Sequence, residues 1–143
     1  MLSLIIIPIL VAMVVQVLKL ITDGIPNNLN WQHLMSDYGG MPSSHAALVA
    51  SLVVMTGLES GINSPAFAIA FILMIIVIRD AAGFRREIGR NAVLTNTLAK
   101  EIFPENPEVL LTERIGHTGP EIIVGFIVGA LLTFLLYWVM LIW

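Results

Sequence analysis

Four apolar segments dominate the pattern of this chain. Two of them lie near its ends, Leu2–Leu18 and Ile122–Trp143, and neither contains a charged residue. At a rise of about 1.5 Å per residue, the last segment is long enough to cross the ~30 Å hydrocarbon core of a bilayer. Two shorter segments, Ala46–Leu58 and Pro65–Ile78, are joined by a short polar turn. We expect this pair to form either two short spans surrounded by protein or a re-entrant helical hairpin.

Local signals mark where helices begin and end. Ser64 followed by Pro65 is typical of an N-cap and a first helical residue, so Pro65 is expected to start a helix. After the apolar segments, small and apolar residues recur at helical spacing opposite charged ones, which predicts an amphipathic helix at the membrane surface. These residues are Phe84, Ile88, Ala92, Thr95, Ala99 and Ile102. The sequence therefore predicts an all-α membrane bundle of four apolar helices plus an amphipathic helix, in one domain over residues 1–143.

Composition agrees with a membrane protein. The hydrophobic fraction is 57% and the charged fraction 12%, about half the charge of ordinary soluble domains. A net charge of -3 and so few basic residues exclude a nucleic-acid-binding protein. The chain contains no cysteine, which excludes thiolate nucleophiles and sulfur-ligated metals.

The basic residues predict the orientation in the membrane. All seven fall in or beside residues 19–43 and 79–118, and an even number of apolar segments would bring both regions to one face. The excess of positive charge on cytoplasmic loops makes that face cytoplasmic, so the termini would face outward. We expect an inner (cytoplasmic) membrane of bacterial type or an organellar membrane.

Two predicted helix starts at this face carry groups suited to an anion. The first is Gly-Gly-Met-Pro-Ser43-Ser44-His45, and the second includes His117 and Glu121. Helix N-termini direct unpaired N–H groups and partial positive charge outward, which suits phosphate. Glu121 lies four residues after His117 and could orient its imidazole as a nucleophile or base. The alternative for Glu121 is a capping box that begins at Thr118.

A third group of charges follows the third apolar segment, in Arg79-Asp80-Ala-Ala-Gly-Phe-Arg85-Arg86. Charges at membrane depth often mark a site. Asp80 and Arg85 could therefore contact a substrate or a metal ion, or they could form an ion pair that anchors the helix.

Together these motifs resemble a known superfamily. Pro42-Ser-Ser-His45 resembles the Pro-Ser-Gly-His motif of the type 2 phosphatidic acid phosphatase and vanadium haloperoxidase superfamily, and His117-x-x-x-Glu121 resembles its His-x-x-x-Asp. The combination of all three motifs is closer to the divergent branch of that superfamily, small membrane proteins some of which are associated with phosphatidylglycerophosphate dephosphorylation. The resemblance covers nearly the whole chain.

The resemblance implies a lipid phosphatase that acts through a phosphohistidine. His117 would be the nucleophile, Glu121 its orienting group, and His45 the acid that protonates the leaving alkoxide. Phosphoryl oxygens would be bound by Ser43, the Ser44 amide and Lys19. The parent motif arginine is missing, because position 111 is leucine, and its charge would come from Arg85, Arg86 or Arg114.

The expected partners are a phospholipid substrate and the membrane, with a homo-oligomer compatible with the sequence. The parent superfamily works without a metal, so no cofactor is expected, although Asp80 and Glu121 leave a magnesium-assisted variant as an alternative. Two other functions stay open. One is a catalytically silent relative that binds phospholipid or scaffolds partners, and the other is a small transporter whose histidines relay protons.

Overall fold

The computed structural model describes residues 2–23, 40–104, 106, 110–113 and 115–142, and the regular secondary structure in them is helical. We number the helices in chain order. They are α1 (Ser3–Asp23), α2 (Ser44–Ser60), α3 (Pro65–Arg79), α4 (Arg85–Ile102) and α5 (Gly119–Ile142), with a π-helical turn (Asp80–Phe84) between α3 and α4. The prediction of an all-α fold is confirmed.

Within the described residues, three stretches are long and apolar enough to cross a membrane: Ser3–Thr22, Pro65–Ile102 and Gly119–Ile142. The apolar helix α2 is shorter. Its start and that of α3 follow the local capping signals. The Ser43 hydroxyl accepts a hydrogen bond from the Ala46 N–H, and the Ser64 hydroxyl accepts one from the Phe67 N–H. The predicted start of α3 at Pro65 is confirmed.

Helix α2 lies at the centre and packs against α1, α3 and α5. Buried side chains of α1 recur every four residues, at Ile7, Val11 and Val15, and form a core with Ala47 and Met55 of α2. On the other side of α2, a Cβ atom on Gly129 would lie 2.5 Å from the Ala47 Cα atom. This close approach of α5 and α2 depends on the glycine. Gly125 and Gly129 are four residues apart, a spacing of small residues that is typical of close helix contacts in membranes.

The amphipathic segment forms, but it is not a separate helix as we expected. Helical backbone continues from α3 through the π turn into α4, and the Asp80 N–H still donates to the carbonyls of Ile76 and Val77. The physical reason is that charged side chains at residues 79–86 leave every backbone N–H available for helical hydrogen bonds. A proline would remove such a donor, and this stretch contains none.

The predicted apolar face of α4 is divided in two. Ala92 and Ala99 are buried, but Phe84, Ile88 and Ile102 are more than half exposed. The buried strip of α4 also contains the side chain of Asn96, which accepts a hydrogen bond from the Leu111 N–H and donates to the Leu111 carbonyl. Residues 110–113 are thereby fastened to α4, ahead of the second predicted helix start.

The ends of the helices meet at one end of the bundle. The Thr22 hydroxyl of α1 donates to the carbonyl of Met41, just before α2. At the opposite end, the Ser3 hydroxyl donates to the Glu59 carboxylate. The basic ends of α1 and α3 and the starts of α2 and α5 therefore share one end, as the alternation of segments predicts. The side of the membrane to which this end belongs stays a prediction.

Candidate functional site

The starts of α2 and α5 are bonded directly to each other. The Ser43 N–H donates to the Glu121 carbonyl oxygen over 3.1 Å. A Cβ atom on Gly125 would lie 2.3 Å from the Ser43 carbonyl oxygen, so only glycine allows this approach. Ser43, predicted to bind phosphoryl oxygens, is fully buried and uses its hydroxyl oxygen to cap α2. Its observed contacts join the two helix starts.

This junction brings the two predicted imidazoles together. The ring centroids of His45 and His117 are 6.2 Å apart, with the ring planes inclined at 76°. The His117 N–H donates to the Ala81 carbonyl oxygen in the π turn over 3.1 Å. Three elements, namely the start of α2, the π turn and the segment before α5, therefore fix the position of the pair.

Lys19 lies beside both histidines. It follows Ile7, Val11 and Val15 at the same four-residue spacing, so the buried strip of α1 that forms the core ends at this ammonium group. Lys19 is only 5% exposed, and its charge acts on both imidazole rings. The ammonium group of Lys19 therefore adds positive potential at the place where the N-termini of α2 and α5 also direct positive potential.

His117 is unusual among the buried polar groups. It is 3% exposed, and neither of its ring nitrogens has a hydrogen-bond partner among the described residues. Buried polar groups nearly always have such a partner. Burial, and after it the charge of Lys19, lowers the pKa of His117 to about 4. The imidazole is therefore neutral at pH 7, the state in which one nitrogen keeps a lone pair.

This lowered pKa predicts a loss of stability in mild acid. The unfolded chain takes up a proton on His117 below its ordinary pKa of 6.5, whereas the folded chain takes it up only near pH 4. Protonation therefore favours unfolding, and the contribution of neutral His117 is full above pH 6.5 and is lost as the pH falls toward 4.

We expect the melting temperature in detergent to fall across this pH range, and to fall less steeply in His117→Gln, whose side chain does not titrate. The variant serves as the control for the carboxylates, which titrate in both proteins. Equal pH dependence of the two melting temperatures would contradict a buried, neutral His117.

Glu121 makes the contact of a capping box. Its Oε2 atom accepts a hydrogen bond from the Thr118 N–H over 2.8 Å, as the alternative interpretation predicts. The expected hydrogen bond to a ring nitrogen of His117 is not formed. The carboxylate is close enough for its charge to raise the pKa of His117, but burial and the charge of Lys19 lower this pKa by more. Glu121 bonds to the Thr118 N–H because it is the third residue of α5, and a side chain at that position reaches back to the start of its own helix.

The remaining predicted residues are distributed around this centre. Asp80 and Arg85 form the ion pair with each other that was the alternative to substrate contact. The charge of Arg85 also acts on His117. Ser44 is half-buried in the first turn of α2, and Arg114 lies outside the described residues. Among the described residues, no group of three or more His, Asp or Glu side chains is arranged to hold a metal ion.

A cavity of about 380 Å³ lies against His117, between α4 and the segment that leads into α5. Arg86 was a candidate from the sequence, but two other lining residues, Arg90 and Glu113, were missed. Arg90 could have been found because it lies four residues after Arg86 on the same helix face. No pattern in the neighbouring sequence indicates that Glu113 lines a cavity. Glu113 enters the cavity wall because the Asn96 amide donates to its carboxylate over 2.8 Å.

The fold and this site define an integral membrane protein with a histidine pair and a lysine at one end of a helical bundle. The chain belongs to the Divergent PAP2 family, whose pattern matches residues 2–132. It is similar to YuiD, an uncharacterized membrane protein of Bacillus subtilis (strain 168), with 35% identity over 78% of each chain. No solved structure matches the chain.

Proposed function

We propose that this protein is an integral-membrane phosphatase that hydrolyses a lipid phosphate monoester through a phosphohistidine on His117. The observation that carries the proposal is the buried, neutral His117, with unpartnered ring nitrogens, 6.2 Å from the ring of His45 and under the charge of Lys19. Membership of the Divergent PAP2 family supports the same reaction class.

In the first step, a ring nitrogen of His117 attacks phosphorus and the ester P–O bond breaks. The bonding electrons leave with the alkoxide oxygen, which takes a proton from His45. Burial and the charge of Lys19 lower the pKa of His45, so in this step the bound anionic phosphate stabilises its imidazolium form. We propose that one phosphate group contacts both rings, with His117 facing phosphorus and His45 facing the ester oxygen, because the ring centroids are only 6.2 Å apart. A helix start behind each histidine stabilises the anionic oxygens.

In the second step, water attacks the phosphoryl group, the P–N bond breaks, and neutral His117 returns. His45, left neutral by the first step, accepts a proton from this water. Lys19 neutralises the phosphoryl oxygens throughout, since phosphoryl transfer depends mainly on positioning and charge. Arg85 is our choice for the missing motif arginine, because its charge reaches His117. We propose that no metal takes part, and that Glu121 positions His117 by capping α5.

The substrate we favour is a lipid phosphate on the cytoplasmic leaflet, with phosphatidylglycerophosphate as the first candidate. The support is the set of basic residues at the end of the bundle that carries the site, which favours the cytoplasmic side for it and the outer side for the termini. Release of inorganic phosphate from phosphatidylglycerophosphate, phosphatidic acid and isoprenyl phosphates by the purified protein tests this assignment.

The role of His45 predicts a dependence on the leaving group. An alkoxide needs a proton as it departs, whereas p-nitrophenolate leaves without one. We expect His45→Gln to lower kcat for a lipid phosphate about a hundredfold, the usual contribution of a general acid, and to lower kcat for p-nitrophenyl phosphate by less than about tenfold. Steady-state phosphate release with both substrates measures the difference.

Equal losses with the two leaving groups would remove the acid role from His45. Phosphate binding by the wild-type protein without any release would favour the catalytically silent phospholipid-binding alternative. Uptake of a solute by liposomes that contain the protein would favour the transporter.

A further inference from the structure

The π turn pairs two side chains that an α-helix would separate. Residues five apart in an α-helix point about 140° away from each other, because each residue turns the chain by about 100°. In the π turn the Arg85 N–H donates to the Asp80 carbonyl oxygen, five residues earlier, which brings both residues onto one side of the helix. Their side chains form an ion pair, in which the Arg85 Nε–H donates to Asp80 Oδ2. Turns of this kind are frequent at functional sites.

The π turn is fixed against both segments that carry a histidine. Ala81, the residue after Asp80, belongs to one buried cluster with Ala46, the residue after His45. The Ala81 carbonyl oxygen also accepts the hydrogen bond from the His117 N–H. Because neighbouring residues are joined in this way, the ion pair lies beside the pair of imidazole rings.

The two ends of the ion pair act on different histidines. The charge of Asp80 acts on His45, and the charge of Arg85 acts on His117. A negative charge favours a proton on an imidazole, whereas a positive charge favours the neutral ring with its lone pair. The ion pair is therefore oriented as the proposed reaction requires, with its negative end at the proton donor and its positive end at the nucleophile.

His45 needs such a negative charge because the rest of its surroundings oppose a proton. Burial and the charge of Lys19 lower the pKa of His45, and the charge of Asp80 raises it. The ring of His117 also faces His45. Among the described residues, Asp80 is the negative group that acts on His45, since the charge of Glu121 acts on His117.

We infer that Asp80 is a positioning residue, whose carboxylate, held by Arg85 in the π turn, keeps His45 in the protonated form that serves as the acid. This inference rests on the proposed function for the step that uses the proton. In that step the proton passes from His45 to the alkoxide oxygen, and Asp80 keeps its own charge. The role of Asp80 is exerted through His45, without contact with the substrate.

Asp80→Asn tests the charge while it keeps the shape of the side chain. The asparagine oxygen can still accept from the Arg85 Nε–H, so Arg85 should stay in place. Glu101→Gln is the matched control, because it removes one negative charge from the exposed surface of the same continuous helix. Titration of the histidine signals by NMR in detergent, with His45→Gln to assign them, measures the pKa of His45 directly. We expect this pKa to be lower in Asp80→Asn than in the wild type, and unchanged in Glu101→Gln.

Turnover provides the second readout. We expect Asp80→Asn to lower kcat for a lipid phosphate about tenfold, as part of the roughly hundredfold contribution of the acid, and kcat for p-nitrophenyl phosphate by less than about twofold. The alkaline limb of the kcat–pH profile for the lipid phosphate should move to lower pH, because His45 loses its proton earlier. In a His45→Gln background, Asp80→Asn should change kcat by less than about twofold, since two residues that act through one group are not additive. Glu101→Gln should match the wild type in all these measurements.

The outcomes separate this inference from the phosphatase proposal. Absence of phosphate release with every substrate would defeat the phosphatase proposal, and the NMR titration would still decide whether Asp80 acts on His45. An equal pKa of His45 in Asp80→Asn and the wild type would overturn the role of Asp80 and leave the phosphatase proposal standing. A full tenfold loss from Asp80→Asn in the His45→Gln background would also overturn it, because Asp80 would then act independently of His45.

Discussion

Replacing His117 with glutamine is expected to lower the turnover of a lipid phosphate monoester by at least about a thousandfold. Loss of a covalent nucleophile removes the whole first step and leaves only the contribution of binding and charge. Glutamine keeps a polar side chain of similar reach, so the start of α5 should still form. The measurement is release of inorganic phosphate by purified protein in detergent.

The matched control is Glu59→Gln, at the opposite end of the bundle, where the contact with the Ser3 hydroxyl can persist. This variant should keep wild-type turnover, and both variants should bind a labelled lipid phosphate. If His117→Gln retains turnover within tenfold of wild type, the nucleophile lies elsewhere and His117 has only a structural role.

The second large effect is expected from adding one methyl group at Gly125. In Gly125→Ala, the new Cβ atom would lie 2.3 Å from the Ser43 carbonyl oxygen and 2.9 Å from its nitrogen. Backbone atoms cannot yield as a flexible side chain would, so α5 must move away from α2. We expect a loss of about 1–3 kcal/mol of stability, as for other overpacked interiors, and a fall in turnover of about a hundredfold as the two imidazoles separate.

Gly119→Ala is the control for this prediction. It lies on the same helix, and a Cβ atom there would meet nothing within 4 Å. Its stability should stay within about 0.5 kcal/mol of wild type. Melting temperatures and phosphate release of the two variants decide the outcome, and a Gly125→Ala protein as stable and active as Gly119→Ala would show that the observed junction is not required.

The helix starts could be predicted because their signals are local. Ser64 and Pro65 define the beginning of α3 through bonds within four residues, and Ser43 does the same for α2. The meeting of the two histidines also follows from the sequence, since an even alternation of apolar segments brings the starts of α2 and α5 to the same end. The glycines that let these helices touch, Gly125 and Gly129, are four residues apart in the sequence, a spacing typical of close helix contacts in membranes.

The contacts of the charged groups could not be predicted from spacing alone. Glu121 lies four residues after His117 and three after Thr118, so its carboxylate could reach either the His117 ring or the Thr118 N–H, and only the packed structure selects the N–H. Asp80 likewise reaches either a ligand or Arg85. The role of Asn96 depends on residues 15 and 17 positions away, a distance at which no periodic pattern gives a signal.

The position of α4 was also beyond local reasoning. The sequence predicts an amphipathic helix separate from α3, but helical backbone continues through the π turn, where the Asp80 and Arg85 N–H groups still donate to carbonyls earlier in the same helix. The result is one long helix that carries both the exposed apolar surface of α3 and one wall of the cavity at His117. Arg90 becomes a candidate ligand contact only once that helix and residues 110–113 and 115–117 are placed together.

The most direct measurement is the identity of the residue that carries the phosphoryl group during turnover. The protein is mixed with a lipid phosphate monoester labelled with ³²P, quenched within milliseconds in alkali, in which phosphohistidine survives, and digested for mass spectrometry. We predict label on the His117 imidazole of the wild type and of Glu59→Gln, and none on His117→Gln. Turnover without labelled His117, or label on another residue, would contradict the account.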